Sequence, residues 1–229
     1  MSERDRIFGR IREALSVPAP APGSHGESPC QPARLASTAD QRRVLPAVEE
    51  SFDQRVALFA RNSAELRSDF KQVSDLTELA AELRQLREAE GWTRVASHRS
   101  ALTDAACAAL GLPVLLRDSG FDKNDLEPCA AGITACDALI AQTGSVLVTS
   151  RSAGGRALSV LPPHHVVLAR RDQLVADLPE AFVRLKSTYG SNYPSMISFI
   201  TGPSRTGDIE RILVLGAHGP RKLTILMTP

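Results

Sequence analysis

The C-terminal half of this chain carries a series of short apolar runs that are almost continuous in Val, Ile and Leu: "GSVLVTS", "HHVVLA", "MISFI", "RILVLG" and "LTILMT". Runs without polar alternation belong to strands buried on both faces, the environment of a parallel sheet. "TRVASH" and "LPVLL" add two strands, and helical patterns stand between the runs at Ala101 to Leu110 and Gln173 to Lys186. The pattern predicts an α/β architecture: three layers, with a sheet of mostly parallel strands covered by helices on both faces.

Upstream the texture is helical. Phe52, Val56, Phe59, Leu66 and Phe70 share one side of a long helix beginning near Val48. Leu79, Leu83 and Leu86 form the stripe of a second helix over Leu76 to Glu88. At the N-terminus Ile7, Phe8, Ile11 and Leu15 recur at helical spacing. The stretch "VPAPAPGSHGESPCQPA" after them is rich in Pro, Gly and Ser and reads as a linker. The expected organisation is an amphipathic helix over residues 1–17, a linker over 18–46 and an α/β domain over 47–229.

Charge and cysteine content remove several classes of function. Lys plus Arg total 27 against 26 Asp plus Glu, which leaves no electrostatic footprint for nucleic acid or an anionic membrane. Aromatic residues make up 4% of the chain, too few for stacking platforms along a single strand. Cys30, Cys107, Cys129 and Cys136 form no C-x-x-C pair, so no metal or Fe–S ligand set is expected. The opening "MSERDRIFGRIREAL" is charged throughout, unlike a signal peptide, and no apolar run is long enough to span a bilayer. A cytoplasmic location, without membrane insertion, is the expectation.

The chemistry concentrates in "SFITGPSRTGDIERILVLGAHGP", Ser198 to Pro220. A turn rich in Gly and Ser after a buried strand exposes backbone N–H groups, and a helix starting near Thr206 would add more. Such amides form a nest for an anion, which Arg205 could close with a bidentate contact. Asp208 at a helix start would serve either as an N-terminal charge or as a partner for a ligand hydroxyl. The same stretch also reads as a tight turn whose Ser and Thr satisfy their own backbone. Two further turns carry glycine: "IAQTGSVLV" with Thr143 and Gly144, and "SAGGRALSVLPP" with Arg156. The adjacent His164 and His165 leave a strand on opposite faces and cannot hold one metal together, and one of them caps the strand. No phosphate-binding P-loop, dinucleotide turn or nucleophile elbow is present.

In this order and spacing "IAQTGSVLV", "GRALSVLPPHHVVL", "ITGPSRTGDIE" and "LGAHGPRKLTILM" closely resemble the lactate utilization protein C family, the LUD-domain group also called the YkgG family. The resemblance runs from about Phe52 to Pro229. It implies a fold of the NagB/RpiA/CoA-transferase-like type and a part in oxidising L-lactate to pyruvate beside Fe–S-containing subunits. Because this chain has no cluster-binding cysteines, it implies a non-redox subunit, without a cofactor of its own, that binds a small anionic ligand. The ligand would sit among Thr143, Gly144, Arg156, Ser204, Arg205, Thr206, Asp208 and His218. A freestanding nucleotide- or CoA-dependent ligase or transferase of the same fold is the alternative. Two positions depart from the family pattern. Gln142 stands where relatives commonly have Glu, and an amide serves neither as a carboxylate nucleophile nor as a general base. Gly207 stands where they have Ala.

Overall fold

The structure, a computed structural model, describes residues 3–16, 48, 51–119, 122–206, 214–216 and 218–229. The expected linker and Asp208 lie outside the described residues. The chain divides into two units, 1–44 and 45–229. In the first, helix α1 (Glu3–Ser16) exposes Ile7 and Phe8.

The larger unit is built on a parallel sheet of six strands in the order β1 (Asp69–Gln72), β12 (Lys222–Thr228), β7 (His164–Arg170), β4 (Ala131–Ala135), β2 (Val95–Ser97) and β3 (Val114–Leu116). Every neighbouring pair runs parallel. The side chains of β7 and β12 alternate between two cores, as period-2 geometry requires. Val166, Leu168 and Leu226 pack with Leu79 and Leu83 of α3 (Leu76–Glu90) and with Ala106 and Leu110 of α4 (Ala101–Leu110). Val167, Leu223 and Ile225 face the other way, onto Val56 and Phe59 of α2 (Phe52–Glu65).

This second core has a further wall. β5 (Ala138–Ile140), β6 (Ser145–Thr149), β8 (Leu174–Val175) and β9 (Ile197–Ile200) form a mixed four-stranded sheet in the order β8-β5-β6-β9. Leu139, Val146 and Val148 join the core against α2, while Ala138, Ile140 and Leu147 pack on Ala181 and Leu185 of α7 (Leu178–Tyr189). The sheet of mostly parallel strands flanked by helices is therefore present, and one flank includes a second sheet.

Helix ends follow their capping chemistry. The Asp75 carboxylate accepts from the N–H groups of Thr77 and Glu78, and Ser100 and Asp177 start α4 and α7 in the same way. Gly91 and Gly111 end α3 and α4 in the left-handed region.

Three expectations change. The first long helix stops at Glu65: Arg67 takes φ 63° and the chain reverses, so that Phe70 belongs to β1. Its ring still meets Phe59 edge-on at 4.8 Å, and its spacing of four from Leu66 is what fitted the helical stripe. Gln173 and the residues after it form the end of a 3-10 turn and β8, and α7 begins only at Leu178, after the Asp177 cap. No helix starts at Thr206: Arg205–Thr206 is the short strand β10, antiparallel to β11 (Val214–Leu215).

Candidate functional site

Two of the motif turns are organised around the C-terminal end of α2. The turn at residues 141–144 joins β5 to β6, with Gly144 at φ 64°. A Cβ on Gly144 would lie 2.9 Å from the Asn62 carbonyl carbon, so only glycine allows this approach. The Asn62 amide donates to the carbonyls of Ala141 at 2.8 Å and Gln142 at 2.9 Å and clamps the turn to the helix. Ser145 Oγ lies 2.8 Å from Thr201 Oγ1, which leads into the next motif. There Gly202, at φ 89°, leaves room for the Leu66 carbonyl, and the Arg205 guanidinium donates to that same oxygen. Arg205 thus serves as a C-terminal cap of α2. The Thr143 hydroxyl is buried and has no hydrogen-bond partner among the described residues.

Beyond Gly202 two turns meet. Ser204 N–H donates to the Pro220 carbonyl at 2.9 Å, and Gly216 N–H donates to the Ser204 carbonyl at 2.8 Å. Gly219 lies close against Ser204, where an added Cβ would come within 3.0 Å of its Cβ. A pocket of ≈ 200 Å³ opens beside this junction. Ser204 and His218 contribute polar groups at the two turns, and Val160, Ile200, Pro203 and Leu223 supply apolar wall. α6 (Ala157–Val160) forms one side, held tightly on β4 because Gly132 has no side chain: a Cβ there would sit 2.1 Å from the Leu158 carbonyl oxygen.

The innermost polar residue of this pocket is His165, which is 1% exposed. Its Nε2 lies 2.9 Å from Thr134 Oγ1, and its Nδ1 has no partner among the described residues. Burial, with His164 adjacent, pushes its pKa down to about 3, so the ring is neutral at ordinary pH. His164 leaves the opposite face, bonds Thr224 Oγ1 at 2.9 Å and meets the Trp92 ring edge-on. The two faces are those expected from the strand period, but His165 belongs to a pocket wall rather than to a strand cap.

The candidate residues therefore separate into three groups. Ser204 and His218 share the pocket with His165. Arg156 lines an adjoining pocket of ≈ 210 Å³, which shares Ser159, Val160 and Ile200 with the first. Thr143, Gly144 and Arg205 line neither of these two pockets and meet α2 and its end instead. Thr206 is placed by its backbone in β10, and Asp208 lies outside the described residues. The first pocket sits at the amino ends of β7 and β12, since His165 and Leu223 are the second residues of their strands. Open parallel sheets more often bind ligands at the carboxyl ends. There His98 Nε2 accepts from the Ala135 N–H at 3.2 Å.

Among the described residues no group of three or more His, Cys, Asp and Glu is placed to hold a metal ion. Cys107, Cys129 and Cys136 are free thiols, and burial raises the pKa of each. No helix described is long and apolar enough to cross a membrane.

Comparison with known proteins finds similar sequences for this arrangement. The stretch from residue 116 to residue 228 matches the LUD domain. That stretch is similar to a LUD domain. All the motif turns lie inside it, whereas α2, on which two of them rest, lies outside. Proteins called lactate utilization protein C are also similar to this chain. One from Shouchella clausii is 37% identical over 107 residues, covering 46% of this chain and 47% of that protein. One from Bacillus subtilis is 34% identical over 122 residues, covering 51% of each. One from Deinococcus radiodurans is 31% identical over 119 residues, covering 52% of this chain and 55% of that one. The matches thus span about half the length of these relatives. Among solved structures, a DUF162 family protein from Deinococcus radiodurans superposes with a TM-score of 0.63 at 22% identity. It covers 79% of this chain and 100% of its own, so the fold around the LUD segment is shared as well.

Proposed function

We propose that this chain is a non-redox subunit of a lactate-utilization system and that it binds a small anionic ligand where the Ser204 and His218 turns meet. The carrying observation is that convergence: two motif turns, separate in sequence, close on one pocket with a buried histidine behind them. Volume limits the ligand. A cavity of about 150 Å³ holds a molecule the size of benzene, so ≈ 200 Å³ suits a short organic acid or phosphate and leaves most of a CoA or nucleotide outside. The names of the relatives support the pathway. Electron transfer falls to Fe–S-containing partners in this reading, because the described cysteines are scattered thiols, two of them buried. The ligase or transferase alternative loses its carboxylate at Gln142.

The test is titration calorimetry of the purified chain against L-lactate, phosphate and CoA, with affinity capture from cells growing on lactate. Saturable binding of a small anion and recovery of Fe–S proteins are expected. Preferential binding of CoA with acyl transfer by the chain alone would replace this reading with the transferase one.

A further inference from the structure

We infer that the free edge of β9 takes up an extended, acidic segment of a partner protein as a fifth strand of the smaller sheet. This stands apart from the small-anion reading and uses the groove beside that pocket. β9 ends the order β8-β5-β6-β9, so it is paired on one side only. The Ser150 N–H donates to the Met196 carbonyl at 3.0 Å, and with the antiparallel register this turns the backbone groups of Ser198 and Ile200 towards β6. Those of Ile197 and Phe199 point outward, in the pattern that one more strand completes.

The surroundings of the edge select the occupant. A groove of ≈ 210 Å³ lies along β9, lined on the strand by Met196, Ile197, Ser198 and Ile200. Arg156, Ser159 and Val160, at α6, form its other bank. The β9 of a second copy would drive its own α6 into that space, whereas a single extended segment fits between strand and helix. Charge favours an acidic segment: Arg156 is exposed and is the one charged residue of this lining. Side chains of an added strand alternate like those of β9. Those beside Ser198 share the groove with Arg156. Those beside Ile197 and Phe199 meet the α7 face, where the Phe182 ring lies 5.5 Å from that of Phe199 and is 56% exposed. The segment that fits therefore alternates apolar residues with Asp or Glu.

The experiment measures, by fluorescence anisotropy, the binding of three labelled peptides to the full chain: SVEVEVS, SVKVKVS and SVEPEVS. SVEVEVS should bind about fivefold more tightly than SVKVKVS and about tenfold more tightly than SVEPEVS, whose proline removes a ladder donor. Arg156→Glu, an exposed substitution that leaves the fold in place, should reverse the order of the acidic and basic peptides. Hydrogen exchange on the wild type gives a reading that needs no variant. SVEVEVS should slow the amides of Ile197 and Phe199 and leave those of β1, the edge of the larger sheet, unchanged. Slowing at β1 instead, equal affinity for the acidic and basic peptides, an order that survives Arg156→Glu, or no binding would overturn the inference. So would amides of Ile197 and Phe199 already protected in the free chain, since the edge would then be covered by a second copy or by another part of this one.

Discussion

His164 and His165 are neighbours in sequence with nearly opposite surroundings, and both are held neutral. Burial lowers His164 to about 4 and His165 to about 3. The unfolded chain takes up a proton at each near pH 6.5, whereas the folded chain does not until much lower pH. Stability from these groups is therefore complete above about pH 6.5 and declines as pH falls towards about 4 for His164 and about 3 for His165. Urea denaturation at pH 7.5, 6.5 and 5.5 should show little change over the first step. It should show a loss of up to about 1.4 kcal/mol per histidine over the second, before carboxylates titrate. A flat profile would mean that the rings are solvated. Gly132 tests packing at the same scale. Gly132→Ala places a methyl against the Leu158 carbonyl and should cost about 1–3 kcal/mol or more in denaturant unfolding, with α6 displaced from the pocket wall. Sequence alone separated the faces of the two histidines but did not reveal the role of His165, because a pocket wall is made by residues distant in the chain: Leu223 and the 202–204 and 218–220 turns reach it only through the fold.

Among the elements, α2 has the widest influence on the candidate site. It holds the 141–144 turn through Asn62 and accepts the Arg205 guanidinium at Leu66. Asn62→Ala should leave the two carbonyls without their donor, cost about 1–3 kcal/mol and accelerate amide exchange at Gly144 and Ser145. Arg205→Ala should cost about 1 kcal/mol through loss of the cap, and less than that would show that the contact is not sustained in solution. Most helices and strands were legible because their periods and caps are local: the Ala101 to Leu110 helix runs from the Ser100 cap to Gly111. Elements that depend on distant partners were not. β4 and β5 in "AGITACDALI" carry too many small residues to signal strands, and their assignment rests on pairing with β7 and β6. β10 looked like a helix start because Ser, Thr and Asp are common to caps and turns, and only its antiparallel pairing with β11 decides the matter.

At the scale of the whole molecule, the four apolar cores formed by the described residues lie within the 45–229 unit. Removal of residues 1–44 should accordingly shift the thermal midpoint by no more than about 2 °C, and a larger loss by calorimetry would show that α1 contributes to the main fold. The sheet itself carries a different consequence. β1 pairs with β12, whose register partner for Asp69 is Thr224, roughly 150 residues downstream. As the polypeptide emerges from the ribosome, Phe70 and the strand around it must wait for nearly the whole domain before their neighbour arrives. β7 waits in the same way for its second neighbour, since β12 inserts between the two. Until then the nascent chain presents an unfilled slot in the middle of a sheet, open to any extended segment nearby. The slot closes only once β12 has been made, so the last strand in the chain is the one that completes the middle of the sheet.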